Sequence, residues 1–169
     1  AVAEAVAAAE RCAPGETIGP LGLPEAVQPA AVAALAAGLD VPLLWVVPQV
    51  DEARALIDAL TAYLVEPDRL LLFGAPDALP YERIPWDPAV REQRLAVLAA
   101  LYEHRTSGRT GAGAAPVIVA PLRAVLTATL PPADFDRDTF VVARGDQLPV
   151  TQLVRRLDRL GYGHVSRVT

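Results

Sequence analysis

The sequence predicts a parallel α/β sheet layered with helices. Short apolar runs carry that prediction: Leu43-Leu44-Trp45-Val46-Val47, Arg69 to Phe73, and Pro116-Val117-Ile118-Val119-Ala120. They lack the polar alternation of half-exposed strands, as expected of strands buried on both faces. Helical patterns separate them, and strand–helix alternation is the signature of a parallel sheet. The chain has 169 residues, 53% of them apolar, which is long enough to bury a real core and too apolar for a disordered chain. Much of that apolar content is alanine, so helix faces should pack closely and bury little area per residue.

Ala1 to Arg11 is alanine-rich and reads as a helix ended by Pro14-Gly15. Thr17 to Leu23 reads as a short strand or turn. Pro29 suits a helix start, where its missing N–H has no intrahelical partner, and Gly38 suits the end of that helix. The strand Leu43 to Val47 is bounded by Pro42 and Pro48. A helix follows from Asp51 to Leu64, with Leu56, Ile57, Leu60 and Leu64 on one stripe. Asp51 and Glu52 lie in its first turn, where the helix dipole favours them.

After the strand at 69–73, Asp87 is placed to cap a helix that has Pro88 at its first position. Val90, Val97, Leu98 and Leu101 supply its core contacts. Ser107 to Ala115, SGRTGAGAA, is a surface loop. The strand at 116–120 leads into a short helix from Leu122 to Leu130, ended by Pro131-Pro132. Pro131 to Asp134 reads as a boundary. Beyond it come a strand (139–143), a turn at Gly145-Asp146, a helix (Pro149 to Leu160) stopped by Gly161, and a strand start (His164 to Val168). That last piece reads as a β-α-β fragment that ends before its sheet is complete. The chain opens without methionine, as expected of a fragment or a processed chain.

Composition excludes several function classes. The chain has fifteen arginines, no lysine and a net charge of -5. A phosphate-binding loop of the G-x-x-x-x-G-K-[ST] type needs its lysine to reach the β- and γ-phosphates. Counted from Gly22, the last three slots of that motif fall on Val27, Gln28 and Pro29, and all three are wrong. Pro29 also lacks the N–H that a phosphate cradle uses. The charge is spread without a basic block, which disfavours nucleic-acid binding by this chain alone. Arg144, Arg155, Arg156, Arg159 and Arg167 gather near the end and read as a solvated helix face. Cys12 is the only cysteine, so there is no disulfide and no cysteine-based zinc site; a reducing cytoplasm fits. The longest apolar run, Val41 to Val50, is too short to span a bilayer. The N-terminal segment carries Glu4 and Glu10 and lacks the basic start of a signal peptide.

No constellation rises to a catalytic or metal site. Gly111-Ala112-Gly113 precedes a strand instead of opening a helix, so it is a connector and not a dinucleotide fingerprint. Asp134-Phe135-Asp136-Arg137-Asp138 mimics the start of a calcium loop, but Thr139 stands at the glycine position and Gly145 at the closing glutamate. It reads as a solvated acidic boundary. His104 and His164 have no ligand partner at metal spacing. Ser107 and Ser166 lie in no nucleophile elbow. Tyr81-Glu82-Arg83 and Trp86 could anchor a partner; the plainer reading folds that loop over the sheet edge with Tyr81 and Trp86 half-buried.

One ordered set of segments is more specific. Leu70 to Leu101, LLLFGAPDALPYERIPWDPAVREQRLAVLAAL, is a strand, a loop around Leu79-Pro80-Tyr81-Glu82-Arg83 and a capped helix carrying Arg94-Leu95. It is preceded by the helix after Leu23 and the strand-proline-helix from Leu44 to Leu64. It is followed by Val117-Ile118-Val119-Ala120-Pro121, Gly145-Asp146-Gln147-Leu148 and Leu160-Gly161-Tyr162-Gly163-His164-Val165. From about Pro20 onward this order resembles the N-terminal region of the bacterial transcription-repair coupling factors (Mfd), which is itself similar to the repair protein UvrB.

The resemblance implies a RecA-like domain with a degenerate nucleotide site over 1–133. It implies the truncated start of the small α+β UvrA-interaction domain over 134–169. UvrB itself fits less well: its intact G-K-T loop and tyrosine-rich hairpin insertion are both missing. In the family, the strands that grip UvrA follow the Gly-Tyr-x-x-Val segment, so the UvrA contacts are expected beyond Thr169. No catalytic, cofactor-binding or metal-binding residue is carried over to any position here. The resemblance thus implies a non-catalytic, bacterial, cytoplasmic module that helps recruit UvrA to stalled RNA polymerase in nucleotide excision repair. It would also pack against other domains of the same protein to hold it inactive. ATP, magnesium, DNA and polymerase would be engaged only by other regions, and no membrane is involved. Two other readings stay open: a fragment of a UvrB-like or helicase-like ATPase that binds ATP and DNA, and an unrelated α/β interaction domain using the Leu79 to Trp86 loop.

Overall fold

A computed structural model describes residues 2–64, 66–76, 82, 84–106, 115–163 and 165. The chain forms two compact units, Ala1–Ala128 and Thr129–Thr169. The boundary expected at 133/134 falls inside a helix of the second unit.

The first unit holds α1 (Val2–Arg11), α2 (Gln28–Gly38), β1 (Leu43–Val47), α3 (Val50–Thr61), β2 (Leu70–Leu72), α4 (Pro88–Thr106), β3 (Val117–Pro121) and α5 (Leu122–Leu126). The three strands among its described residues are parallel, in the order β1-β3-β2. Leu43 and Leu70 both pair with Val117, so the strands start level. The architecture is therefore mixed α/β around a small parallel sheet, as the alternating runs predict.

Position in the sheet explains which strands are buried. β3 lies between the other two and is buried along its whole length. β1 departs from the expectation of burial on both faces. Among the described strands it lies at the edge, and Leu44 and Val46 remain 54% and 41% exposed while Val47 is buried. Sequence periodicity cannot distinguish a central strand from an edge strand whose outer face is also apolar.

The core forms where α3 crosses the sheet. Leu60, Ala53, Val47 and Val119 make its centre, flanked by Val32, Trp45, Leu56, Ile57, Leu64, Leu70 and Leu72. The predicted α3 stripe is thus the packed one. α3 ends at Thr61, but Leu64 still reaches the core, with its N–H on the Leu60 carbonyl at 3.1 Å. α1 and α2 meet through small residues: Ala5, Ala31 and Ala36 are buried, and a Cβ on Gly38 would sit 3.6 Å from Val6 Cγ1.

Asp87 caps α4 as its sequence position predicts. Its Oδ1 accepts the Ala89 N–H at 2.8 Å, and its carbonyl accepts the Arg91 N–H. Replacing Asp87 by alanine is expected to cost about 1 kcal/mol of stability, measured by urea unfolding. Two other elements of this unit differ from expectation. Thr17 to Leu23 forms no strand; it runs irregularly, with Gly22 at φ +60°, into a 3-10 turn at Glu25–Val27. α5 stops at Leu126, four residues short of the expected Leu130, because Thr127 turns extended.

The second unit holds α6 (Pro132–Asp138) and α7 (Val150–Arg159). Pro131-Pro132 do not end α5, which stops at Leu126; Pro132 instead starts α6, and the Pro131 carbonyl accepts the Asp134 and Phe135 N–H groups. A helix thus occupies most of the stretch read as an acidic boundary. The strand expected over 139–143 is not formed, and no strand occurs among the described residues of this unit. A strand needs a partner ladder, and Val141 and Val142 stand exposed without one among the described residues. The β-α-β reading is corrected accordingly, while most of the strand start at 164–168 lies outside the described residues.

The turn at Gly145 and the end of α7 match their sequence signals. Gly145 has φ +103°, and Asp146 Oδ2 accepts the Ala143 N–H at 2.8 Å. Gly161 has φ +85°, with its N–H on Asp158 O and the Tyr162 N–H on Leu157 O. That pair of bonds closes the helix in a Schellman motif. No helix of the described residues is long and apolar enough to cross a membrane.

Candidate functional site

Ligands of open α/β sheets bind beyond the carboxyl ends of the strands. In this chain a groove of about 1110 Å³ lies at that end of β1. Its walls include Glu25, Gln28 and Pro29 at the start of α2, Trp45 of β1, and Glu52 and Tyr63 on the α3 side. This is also where the sequence places the Gly22 to Pro29 segment. Gly22 has φ +60° within an irregular segment, and the Val27 N–H is spent on the Pro24 carbonyl at 2.9 Å. Gln28 Nε2 donates back to Leu23 O at 3.3 Å, and Pro29 has no N–H to offer. Both ionisable carboxylates of the lining, Glu25 and Glu52, are acidic, and no arginine is among the described lining residues. Such a groove repels a triphosphate and suits apolar or cationic matter.

The most constrained polar group is Arg94 on α4, which is 3% exposed. Its Nη1 donates to Gly74 O and Ala124 O, each at 3.1 Å. Its Nη2 donates to Thr127 O at 3.1 Å and Ala128 O at 3.4 Å. The guanidinium also lies over the rings of Phe73 (4.1 Å) and Trp86 (5.3 Å), where ring faces attract a cation. Burial pulls its pKa below the ordinary arginine value; an arginine so placed remains charged, because that value starts far above neutrality. Three of the four carbonyls belong to the end of α5 and the residues after it. Arg94 therefore satisfies acceptors that a helix terminus leaves open, at the point where α5 stops.

Sequence reasoning quoted Arg94 without seeing this role. The signal was present: Arg94 stands four residues after Val90 and three before Val97, inside the apolar stripe of α4. A lone arginine on a core face has to find acceptors. Arg69 acts similarly on a smaller scale, with Nε donating to Ala115 O at 2.9 Å just before β3.

The remaining candidates are not brought together. Tyr81, Arg83, Ser107 to Gly113, His164, Ser166 and Arg167 lie outside the described residues. Glu82 is exposed, and Trp86 is half-buried beneath Arg94, as the plainer reading of that loop expects. His104 sits in the last turn of α4. Among the described residues, no cluster of three or more His, Cys, Asp or Glu could hold a metal. Arg144, Arg155, Arg156 and Arg159 are exposed, with Arg156 over the Phe140 ring at 4.1 Å.

The acidic run at 134–138 is internally paired. Arg137 Nη1 meets Asp134 at 2.8 Å and its Nη2 meets Asp138 at 2.9 Å. The hydrogen bond from Arg137 holds the Asp138 carboxyl below its ordinary value. A carboxylate with a depressed folded pKa stabilises above the ordinary carboxylate range and loses that contribution as pH falls through the depressed value. A carboxyl NMR titration should show Asp138 titrating low, and Arg137→Ala should return it to the ordinary range. An unchanged Asp138 in the variant would mean that the pair is not formed in solution.

No protein-family model matches the chain. No curated protein matches it either.

Proposed function

We propose that this chain is a nucleotide-free docking module of the transcription-repair coupling factor kind. Under this reading a degenerate RecA-like domain precedes the opening of a UvrA-interaction domain. The module serves recruitment of the excision machinery, and it packs on other domains of the same protein to hold them inactive. Stalled polymerase, DNA and ATP are engaged by other regions, and no chemistry is performed here.

One observation carries the non-catalytic part. The segment that would cradle phosphates spends its Val27 and Gln28 N–H groups internally, ends in Pro29, and faces a groove whose charged lining is Glu25 and Glu52. The chain has no lysine, and no arginine is among the described lining residues of that groove. The order of apolar strands and helices supports the RecA-like part by resemblance alone.

Two calorimetric titrations test the reading. Magnesium-ATP at millimolar concentration should give no binding heat; saturable binding would favour the ATPase alternative. UvrA should bind a longer polypeptide in which the arginine- and aromatic-bearing strands of the family follow residue 169, and should not bind residues 1–169 alone. Failure of the longer polypeptide would reduce the resemblance to one of fold.

A further inference from the structure

Among the described residues β1 has one partner strand, β3, and no strand on its other side. In a strand each residue directs its N–H and C=O to the same side, and successive residues alternate. The Leu43 N–H donates to Pro116 O at 3.0 Å, so Leu43, Trp45 and Val47 turn their backbone groups toward β3. Leu44 and Val46 turn theirs the other way, where no described strand pairs with them. The same two residues carry the exposed apolar side chains of the strand. The groove described above opens along this strand, with Trp45, Val46 and Val47 in its wall and Glu25 and Glu52 as its charged groups.

We propose that this edge takes up one extended segment of another protein by strand addition, with a basic residue set between apolar ones. The backbone at Leu44 and Val46 supplies hydrogen bonds, and the groove supplies selectivity through alternate side chains. Charge decides the occupant. A second copy of this chain would bring two acidic rims together across the junction, and an acidic segment would meet Glu25 and Glu52 directly. A segment with arginine or lysine facing the groove meets opposite charge there and leaves its apolar neighbours for Trp45, Leu56 and Tyr63. This surface does not depend on the coupling-factor reading and stands or falls separately from it.

The probe is a fluorescein-labelled, end-capped pentapeptide, Val-Thr-Arg-Thr-Val, followed by fluorescence anisotropy. Its counterpart with glutamate in the centre should bind about tenfold more weakly. Glu25→Gln with Glu52→Gln should abolish that discrimination. Val46→Pro removes one N–H from the free side, a position where an edge strand tolerates proline; it should abolish binding with the circular dichroism unchanged. Should that variant fail to fold, amide exchange in the unaltered chain decides, with Leu44 and Val46 expected to slow on adding the arginine peptide. Equal affinity for both peptides, no binding of the arginine peptide, retained binding by a folded Val46→Pro chain, or unslowed exchange would each overturn the proposal.

Discussion

Arg94→Ala should destabilise the first unit by about 3–5 kcal/mol, the usual cost of breaking a buried charged network. The variant strips donors from Gly74, Ala124, Thr127 and Ala128 at once. A buried carbonyl left without a partner, as Gly74 O would be, costs about 1–3 kcal/mol; the part-buried Thr127 and Ala128 carbonyls cost less, Ala124 O keeps the Thr127 N–H, and the cavity over Phe73 and Trp86 adds to the loss. Arg94→Lys should recover only part of the stability. An ammonium keeps the charge and can lie over a ring, but it cannot reproduce the planar fork that reaches four acceptors in two directions. Urea unfolding followed by tryptophan fluorescence measures both variants. A loss below about 1 kcal/mol for the alanine variant would show that water satisfies these carbonyls and that Arg94 is not the clamp described here.

Leu60→Ala has the second-largest expected effect. Leu60 is 0% exposed and sits against Val47, Ala53 and Val119 at the centre of the core. Truncating a buried leucine costs about 2–5 kcal/mol, the spread reflecting how far the neighbours collapse into the gap. Collapse is limited here because two of the walls come from the sheet, through Val47 of β1 and Val119 of β3. Leu95→Ala is the matched control. Leu95 is on α4 and 49% exposed, so its loss should stay within about 0.5 kcal/mol. Equal effects at the two positions would mean that the core does not lie beneath α3.

The parts of this fold that sequence made legible are those set by local chemistry. The α3 stripe, the Asp87 cap, the Gly145 turn and the Gly161 stop each rest on residues adjacent in sequence or one helical turn apart. The parts that were not legible depend on partners distant in sequence. Whether Leu43 to Val47 sits at the centre or the edge of the sheet depends on where β3, some seventy residues later, pairs with it. The carbonyls at the early end of α5 are met by Arg94, some thirty residues earlier, and neither segment announces the other. The run at 139–143 has strand composition, but composition cannot supply a ladder. The candidate site divides the same way. The missing lysine and Pro29 were readable as letters, whereas the two carboxylates that line the groove come from segments more than twenty residues apart, Glu25 before α2 and Glu52 on α3.

The prolines that bracket β1 bear on what this protein avoids as well as on what it forms. An exposed apolar edge is a template for runaway association, and stacked fibrils grow from segments of six or seven residues without proline. Here the strand is five residues long and has Pro42 on one side and Pro48 on the other. The unsatisfied edge is confined to Leu44 and Val46, a length over which one short strand can lie but a cross-β stack cannot propagate. The ladder at this edge is thus interrupted by imino acids on both sides, where the strand carries no lysine and no charge of its own.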